Sequence, residues 1–208
     1  MKIALVSSRQ DAAGVNIRRH TLELLEEEKR SDPVWIPMEV EGRLIHQDGI
    51  DRDLSVDLII FLSRHSSEKP IPVLTVHATG NFHAAALGGR AGELSPTAPA
   101  WMHAILRNLA RHAPQGYRVS YEVTHHGPTD LVIPFLFVEI GSTAVEWADP
   151  QAGLAVARSV LTAAPIDAVN LIGFGGNHYA ARETEIALRS RGAFGHIAHS
   201  REVGSLDL

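Results

Sequence analysis

Short aliphatic runs spaced along the chain set the limits on what it can fold into. They are KIALVSS (Lys2–Ser8), VDLIIFLS (Val56–Ser63), PVLTVHA (Pro72–Ala78), FLFVEI (Phe135–Ile140) and DAVNLIGF (Asp167–Phe174). Each has strand length and few charges, as buried strands do. PVWIPMEV (Pro33–Val40) adds a strand that Pro37 pushes to a sheet edge. YRVSYEVTH (Tyr117–His125) alternates with period two and predicts a strand throughout, and AFGHIAH predicts a last one. Between these runs lie helical segments. Asn16 to Arg30 places Ile17, Leu22, Leu24 and Leu25 among charges, an amphipathic helix with a solvated acidic end. Ser95-Pro96 predicts a helix start with Ser as the cap, running to about His112 before Pro114. Asp149-Pro150 opens another by the same logic, through about Ala163. Tyr179 to Arg191 forms a short helix, with Gly192 just past its end. Strands alternating with helices predict a three-layer α/β/α fold. No helix separates the strand at Tyr117 from that at Phe135, so the sheet is mixed, mainly parallel. No linker or repeat interrupts the 208 residues, which read as a single domain.

Composition removes several chemistries. The 19 Lys and Arg against 24 Asp and Glu leave a formal charge of −5, which argues against a generic polyanion binder such as a DNA-binding protein. There is no cysteine, so disulfides, thiolate metal sites and cysteine nucleophiles are excluded, and any metal must sit on histidine and carboxylate. The apolar run at Ile3–Val6 is too short for a signal-peptide core, and no window reaches the ~20 apolar residues of a membrane span. A cytoplasmic protein without a membrane partner is expected. Its oligomeric state stays open.

The twelve histidines are the compositional oddity, and they gather at predicted strand ends. In open α/β sheets ligands bind at the carboxyl ends of strands. Here those ends carry Arg64-His65, then His77 with Gly80, Asn81 and His83, then His125-His126, then Glu139, then Gly175-Gly176-Asn177-His178. His65, in a charged loop, reads as solvent-facing. His77 reads as either a satisfied buried histidine or a ligand. Glu139 is either an edge carboxylate or a ligand or base. His125 and His126 point to opposite faces if the strand persists, with Glu122, Thr124 and His126 sharing one. GFGGNHYA lacks the glycine pattern of a dinucleotide site and the Lys-Ser/Thr of a P-loop. Its glycines allow backbone N–H groups to approach an anion or carbonyl oxygen. No GxSxG, HExxH, HxH or HxxxH motif occurs. A histidine/glutamate pocket with glycine turns suits water activation by imidazole or by a His/carboxylate metal.

SRHSS (63–67), LTVHATGN (74–81), YEVTHHGPT (121–129), VEIGS with Trp147 and Asp149, and GGNHYA (175–180) together resemble the archaeal and plant type of D-aminoacyl-tRNA deacylase, over Met1 to about His196. The resemblance implies a zinc-associated hydrolase with a phosphorylase/hydrolase-like fold related to peptidyl-tRNA hydrolase. It implies D-aminoacyl-tRNA as partner, and hydrolysis of its ester to free D-amino acid and tRNA. On this basis His125, His126, His178 and Thr129 are expected to be catalytic, with His126 or His178 activating water. Gly80, Asn81, Gly175, Gly176 and Asn177 are expected to bind substrate, and the Gly175-Gly176 or Gly80-Asn81 amides to donate to the oxyanion. His77, Glu139, His126 and His178 are the expected metal ligands. Arg18, Arg19, Arg64, Lys69, Arg90, Arg107 and Arg111 are expected to form one basic face for tRNA. Family members commonly run several tens of residues past a GHI-type segment, matched here by Gly195, His196 and Ile197, and often have Pro after NHY, where this chain has Ala180-Ala181-Arg182. The rival readings are a peptidyl-tRNA hydrolase-like or aminopeptidase-like hydrolase, a nucleoside phosphorylase-like transferase, and a non-catalytic tRNA-binding module.

Overall fold

The computed structural model describes residues 1–27 and 32–204. A six-stranded sheet is built from β1 (Lys2–Ser8), β2 (Val34–Val40), β3 (Leu58–Arg64), β4 (Val73–His77), β5 (Arg118–Tyr121) and β6 (Phe135–Gly141), in the order β2-β1-β3-β6-β4-β5. Every neighbouring pair is parallel except β6 with β4. The fold is therefore α/β with a mixed, mostly parallel sheet. β2 is an edge strand, where Pro37 can lack its N–H without breaking an inner ladder.

One face of the sheet carries the helices α1 (Ala12–Glu27), α2 (Pro99–His112) and α4 (Pro150–Leu161), with the single turn α3 (Ala144–Trp147) beside them. Alternate residues of the strands, Ile60 and Leu62 of β3 and Leu136 and Val138 of β6, pack there with Ile17, Ile105 and Val156. The other face presents Ile59, Phe61, Phe135 and Phe137, covered by Leu44 and Leu131. That layer consists of two 3₁₀ turns, Leu44–His46 and Ile50–Asp53, and of loops. Burying each of these large apolar side chains contributes about 1.5–3 kcal/mol. β7 (Val169–Phe174) and β8 (Gly192–Ala198) form a separate parallel pair linked by α5 (Ala181–Arg189), with β8 against α2, and α6 (Ser200–Val203) follows. Among the described residues no helix is long and apolar enough to cross a membrane.

Several expected boundaries moved. α1 starts at Ala12 because the Asp11 carboxylate accepts from the Gly14 N–H at 2.9 Å and so caps it. Residues 28–30 of the expected helix lie outside the described residues. Ser95 does not cap α2. Its N–H and its hydroxyl both donate to the Thr79 carbonyl, so it is held by that loop, and the helix starts at Pro99. Asp149 does cap α4, accepting from Gln151 N–H at 2.8 Å. Gly192 is not a helix cap but the first residue of β8.

The largest difference is at β5, which ends at Tyr121 and not at His125. Glu122 N–H still donates to the Val76 carbonyl of β4 at 3.3 Å, and past it the backbone changes partners. Val123 N–H donates to the His178 carbonyl at 3.0 Å and Thr124 N–H to that of Ile197 at 2.8 Å. The buried Thr124 hydroxyl oxygen in turn accepts from Ile197 N–H at 3.0 Å. This reciprocal pair ties the segment to β8. Thr124→Val keeps the shape and leaves the Ile197 N–H without its acceptor, so it is expected to lower stability by about 1–3 kcal/mol. Urea unfolding measures this; an unchanged midpoint would show that the tie does not hold the segment.

Candidate functional site

The sheet register assembles the site. Ser63 on β3 lies beside Glu139 on β6, Glu139 beside Thr75 on β4, and Thr75 beside Ser120 on β5. Side chains two positions further share that face, which adds His65, His77 and Glu122. The apolar half of the face thus gives way to a polar half, and the His77 ring stacks on Phe137 with centroids 5.5 Å apart. Because β4 and β5 run opposite to β3 and β6, their carboxyl ends point the other way. The site therefore spreads across a face of the sheet and is not collected at one carboxyl edge.

Loops close over this face. His126 adopts a left-handed backbone, φ 47°, uncommon outside glycine. There the chain turns, so His125 and His126 do not point to opposite faces. Their rings lie 4.4 Å apart, and both meet His77, at 4.6 and 5.0 Å. His178 arrives from the glycine turn after β7, with its ring 4.8 Å from His125 and 5.0 Å from His65. Trp147 fixes the His65 segment by donating its indole N–H to the His65 carbonyl at 2.9 Å.

Glu122 is the electrostatic centre. Its oxygens lie 2.9 Å from His178 Nε2, 3.1 Å from His65 Nδ1 and 3.5 Å from His125 Nε2. Glu139 lies 3.5 Å from His77 Nε2 and 3.8 Å from His65 Nδ1. Burial by itself would raise the Glu122 carboxyl, yet His178 and His65 hold it well below the usual carboxylate range. Burial works the other way on His65 and His77, but Glu122 and Glu139 respectively raise them above the ordinary histidine value. His126 has no such carboxylate, and burial followed by repulsion from His125 pushes it down.

Two features fit this cluster to a metal ion. The Nδ1 atoms of His77, His125 and His126 face the carbonyls of Ala78, Val123 and Gly127 at 3.1, 2.8 and 2.7 Å. That is how a protein fixes the tautomer of a ligating histidine and turns Nε2 toward a metal. In addition, Nε2 of His77 and of His178 and both Glu122 oxygens are buried without an aligned hydrogen bond, despite their close approaches. Nitrogen bonds of about 2.0–2.1 Å to a tetrahedral ion put ligand atoms about 3.3 Å apart. Three sets of ligand atoms could hold an ion, each set within 4.8 Å of itself: His77/His125/His126, His65/Glu122/His178 and His77/Glu122/Glu139.

The cluster opens on both sides. A cleft of about 590 Å³ bordered by Gly80, Phe82, Leu87 and His199 reaches His125, His126 and His178. A second, of about 560 Å³, is bordered by Ser66, Lys69, Asn177 and Tyr179 and meets the first at His178.

His77, His125, His126, Glu139 and His178 thus come together as expected, and Asn177 lines the second cleft. Others depart from expectation. Thr129 is away from the cluster; its hydroxyl accepts from Arg90 N–H at 2.9 Å and faces Glu93 at 3.3 Å, pinning the 88–93 loop. The Gly80 and Asn81 amides cannot serve an oxyanion, since they already donate to the carbonyls of His126 and Glu93. Gly175 N–H is likewise bound to the Ala198 carbonyl, whereas Gly176, φ 88°, has no acceptor for its N–H among the described residues. His65 is not solvent-facing but only 6% exposed. It and Glu122 are the cluster members that the candidate set lacked. The signal for both was periodicity: each stands two positions beyond a serine on a strand that faces Glu139. Of the residues expected to form a basic face, Arg18 approaches Glu39, Arg90 approaches Glu93 and Asp130, and Arg107 and Arg111 line one cleft.

Gly127 lets the 88–89 loop press against the histidine turn, since a Cβ there would collide with the backbone of Gly88 and Gly89. Gly127→Ala is expected to cost about 1–3 kcal/mol or more and to displace His126. Unfolding curves together with histidine NMR shifts would measure both; wild-type values in each would refute the close packing.

Comparison with known proteins places the chain. A family model described as D-aminoacyl-tRNA deacylase matches residues 52–208. A D-aminoacyl-tRNA deacylase of Methanoculleus marisnigri is 60% identical over 100% of this chain and 48% of its own length. That of Methanosphaerula palustris is 62% identical over 99% and 48%. That of Methanosarcina mazei is 40% identical over 94% of this chain and 73% of its own. A crystal structure of a conserved protein of unknown function superposes with a TM-score of 0.91 at 35% identity, covering 99% of this chain and 79% of that one. The chain spans about half the length of the first two relatives. On the family model and on the Methanosarcina relative alike, the chain belongs to the D-aminoacyl-tRNA deacylase family.

Proposed function

We propose that this chain hydrolyses the ester joining a D-amino acid to the terminal ribose of tRNA, releasing free D-amino acid and tRNA. The observation that carries the reading is the largely buried group of five histidines and two glutamates, with His178 half-exposed, at the junction of two open clefts. Membership of the deacylase family supports it. The tRNA substrate assigns the reaction to the cytoplasm.

Zinc suits a donor set of imidazoles and carboxylates without thiolate, and its residents would be His77, His125 and His126 with Glu122 and Glu139 alongside. When bound it supplies Lewis acidity toward water or the ester carbonyl. His178 is the chain's base. Its side chain is 40% exposed at the meeting of the clefts, and Glu122 at 2.9 Å orients the ring. His178 takes the proton as water oxygen bonds to the ester carbon and the carbonyl electron pair moves to oxygen. Gly176 N–H, two residues away, offers a donor for that oxyanion. Collapse breaks the bond to the ribose oxygen, and His178 returns the proton to it. His65 and Tyr179, whose Nε2 and hydroxyl lie 3.1 Å apart, hold Glu122 in place from the second cleft. Backbone at Gly80 and the Phe82 and Leu87 side chains form the wall against which an L side chain would clash.

D-Tyr-tRNA is expected to be hydrolysed and L-Tyr-tRNA spared, with His178→Ala lowering kcat ~10²–10⁴-fold. No turnover of either ester would overturn the reading. Zinc at about 100 times its Kd should stabilise chelator-stripped protein by about 2.7 kcal/mol, which for this size raises Tm by roughly 5–10 °C. His77→Ala should abolish most of that rise; an equal rise in the variant would remove His77 from the metal site.

A further inference from the structure

A third cleft of about 550 Å³ lies at the other end of α2 and α5, bordered by Arg107, Arg111, Arg189 and Arg191 with His103 and Thr162. None of the residues that line it is acidic. Arg111 also borders the adjoining cleft, together with Arg158. This concentration of arginine stands out in a chain of net charge −5.

The arginines are arranged to leave donors available. Arg107 is anchored by donating to the Leu188 carbonyl at 2.8 Å, which uses one of its N–H groups. Among the described residues Arg111 hydrogen-bonds the neutral Asn108 side chain, at 3.4 Å, and pairs with no carboxylate. Arg189 and Arg191 pair with Glu185 at 3.0 Å and Asp167 at 3.1 Å. Those carboxylates stand outside the cleft and are exposed, so the pairs are weak and exchangeable. Planar guanidinium groups with free forks suit phosphate oxygens.

Position links this cleft to the histidine cluster. α2 begins next to Ser95, whose carbonyl faces His196 at 3.0 Å, and His196 faces Thr124 at 3.2 Å. α5 begins directly after Tyr179. Both helices run from the cluster to the arginines. At about 1.5 Å per residue, Arg107, Arg111 and Arg189 stand roughly 12–18 Å along them. At about 3.4 Å per nucleotide along one strand, that is roughly four or five nucleotides.

We propose that the arginine cleft between the C-terminal halves of α2 and α5 binds the sugar-phosphate backbone of the RNA whose 3′-terminal ester lies at the histidine cluster. This rests on the deacylase reading and adds a location for the stem. Among the described residues Arg107 and Arg111 make no ion pair with a carboxylate, and the pairs of Arg189 and Arg191 are exposed.

The test uses Arg111→Ala with Arg189→Ala, both exposed, both lining the cleft and neither in the catalytic cluster. Two quantities are read: tRNA binding across a salt series, and hydrolysis of D-tyrosyl-tRNA beside D-tyrosyl-adenosine, an ester without a stem. The double variant should bind tRNA at least tenfold more weakly, with the slope of log K against log salt reduced by about 0.7–0.9 per arginine that contacts phosphate. It should raise KM for the tRNA ester and leave adenosine-ester hydrolysis and Tm unchanged. Binding with the parent's affinity and slope would overturn the proposal, as would a parent that does not bind tRNA. Failure of the parent to hydrolyse either ester would instead overturn the deacylase reading, and the binding series would still decide the cleft.

Discussion

A carboxylate with no exposure to water needs compensation from the groups around it, and Glu122 makes that demand on this fold. Its side chain is fully buried, in contact with three histidines, and Glu139, across β4, meets two. Removing one partner from a buried charge typically costs about 3–5 kcal/mol. The histidines are therefore as much a condition of Glu122's burial as Glu122 is a condition of their geometry. Positive charge can come from protons on imidazole or from a cation, and metal binding would release the protons it replaces. Either way the negative charges are built into the strands before any ligand arrives.

The antiparallel step between β6 and β4 makes this possible. In an all-parallel sheet, Glu139, His77 and Glu122 would stand at different heights or on separate loops. Here β4 runs back along β6, which sets Thr75 against Glu139 and His77 against Phe137. Carboxylates and one histidine are then anchored by ladder hydrogen bonds, with the stacked Phe61–Phe137 pair as a rigid floor beside them.

The sequence reading reached the strands because strands depend on local composition, and it reached the mixed sheet because a helix is visibly missing between Tyr117 and Phe135. Asp149-Pro150 was legible for the same local reason. Ser95-Pro96 has the same signature and failed, because a tertiary partner, the Thr79 carbonyl, took the cap. His125 and His126 were legible as important but not as neighbours in space. Period two held only as far as β5 was paired with β4, and the exchange to the His178 and Ile197 carbonyls is invisible in sequence. His65 looked exposed from its polar neighbours, while its burial comes from Trp147 and Tyr179, 82 and 114 residues away.

The division between strand-borne and loop-borne residues also bears on mechanism. Glu122, Glu139 and His77 sit on or directly beside ladder strands and keep a fixed charge pattern. His178 sits on a turn whose two glycines adopt backbone angles that other residues rarely reach, φ 98° and 88°. That turn adjoins the histidine proposed to accept a proton from water and return it to the leaving oxygen. The strand-borne carboxylates define where positive charge is favourable; the glycine turn brings the proposed base, His178, to the edge of that field. The same turn carries Gly176 N–H, so the proposed oxyanion donor and the proposed proton carrier belong to one short segment. A substitution there would disturb both at once, whereas one on β6 would disturb only the field.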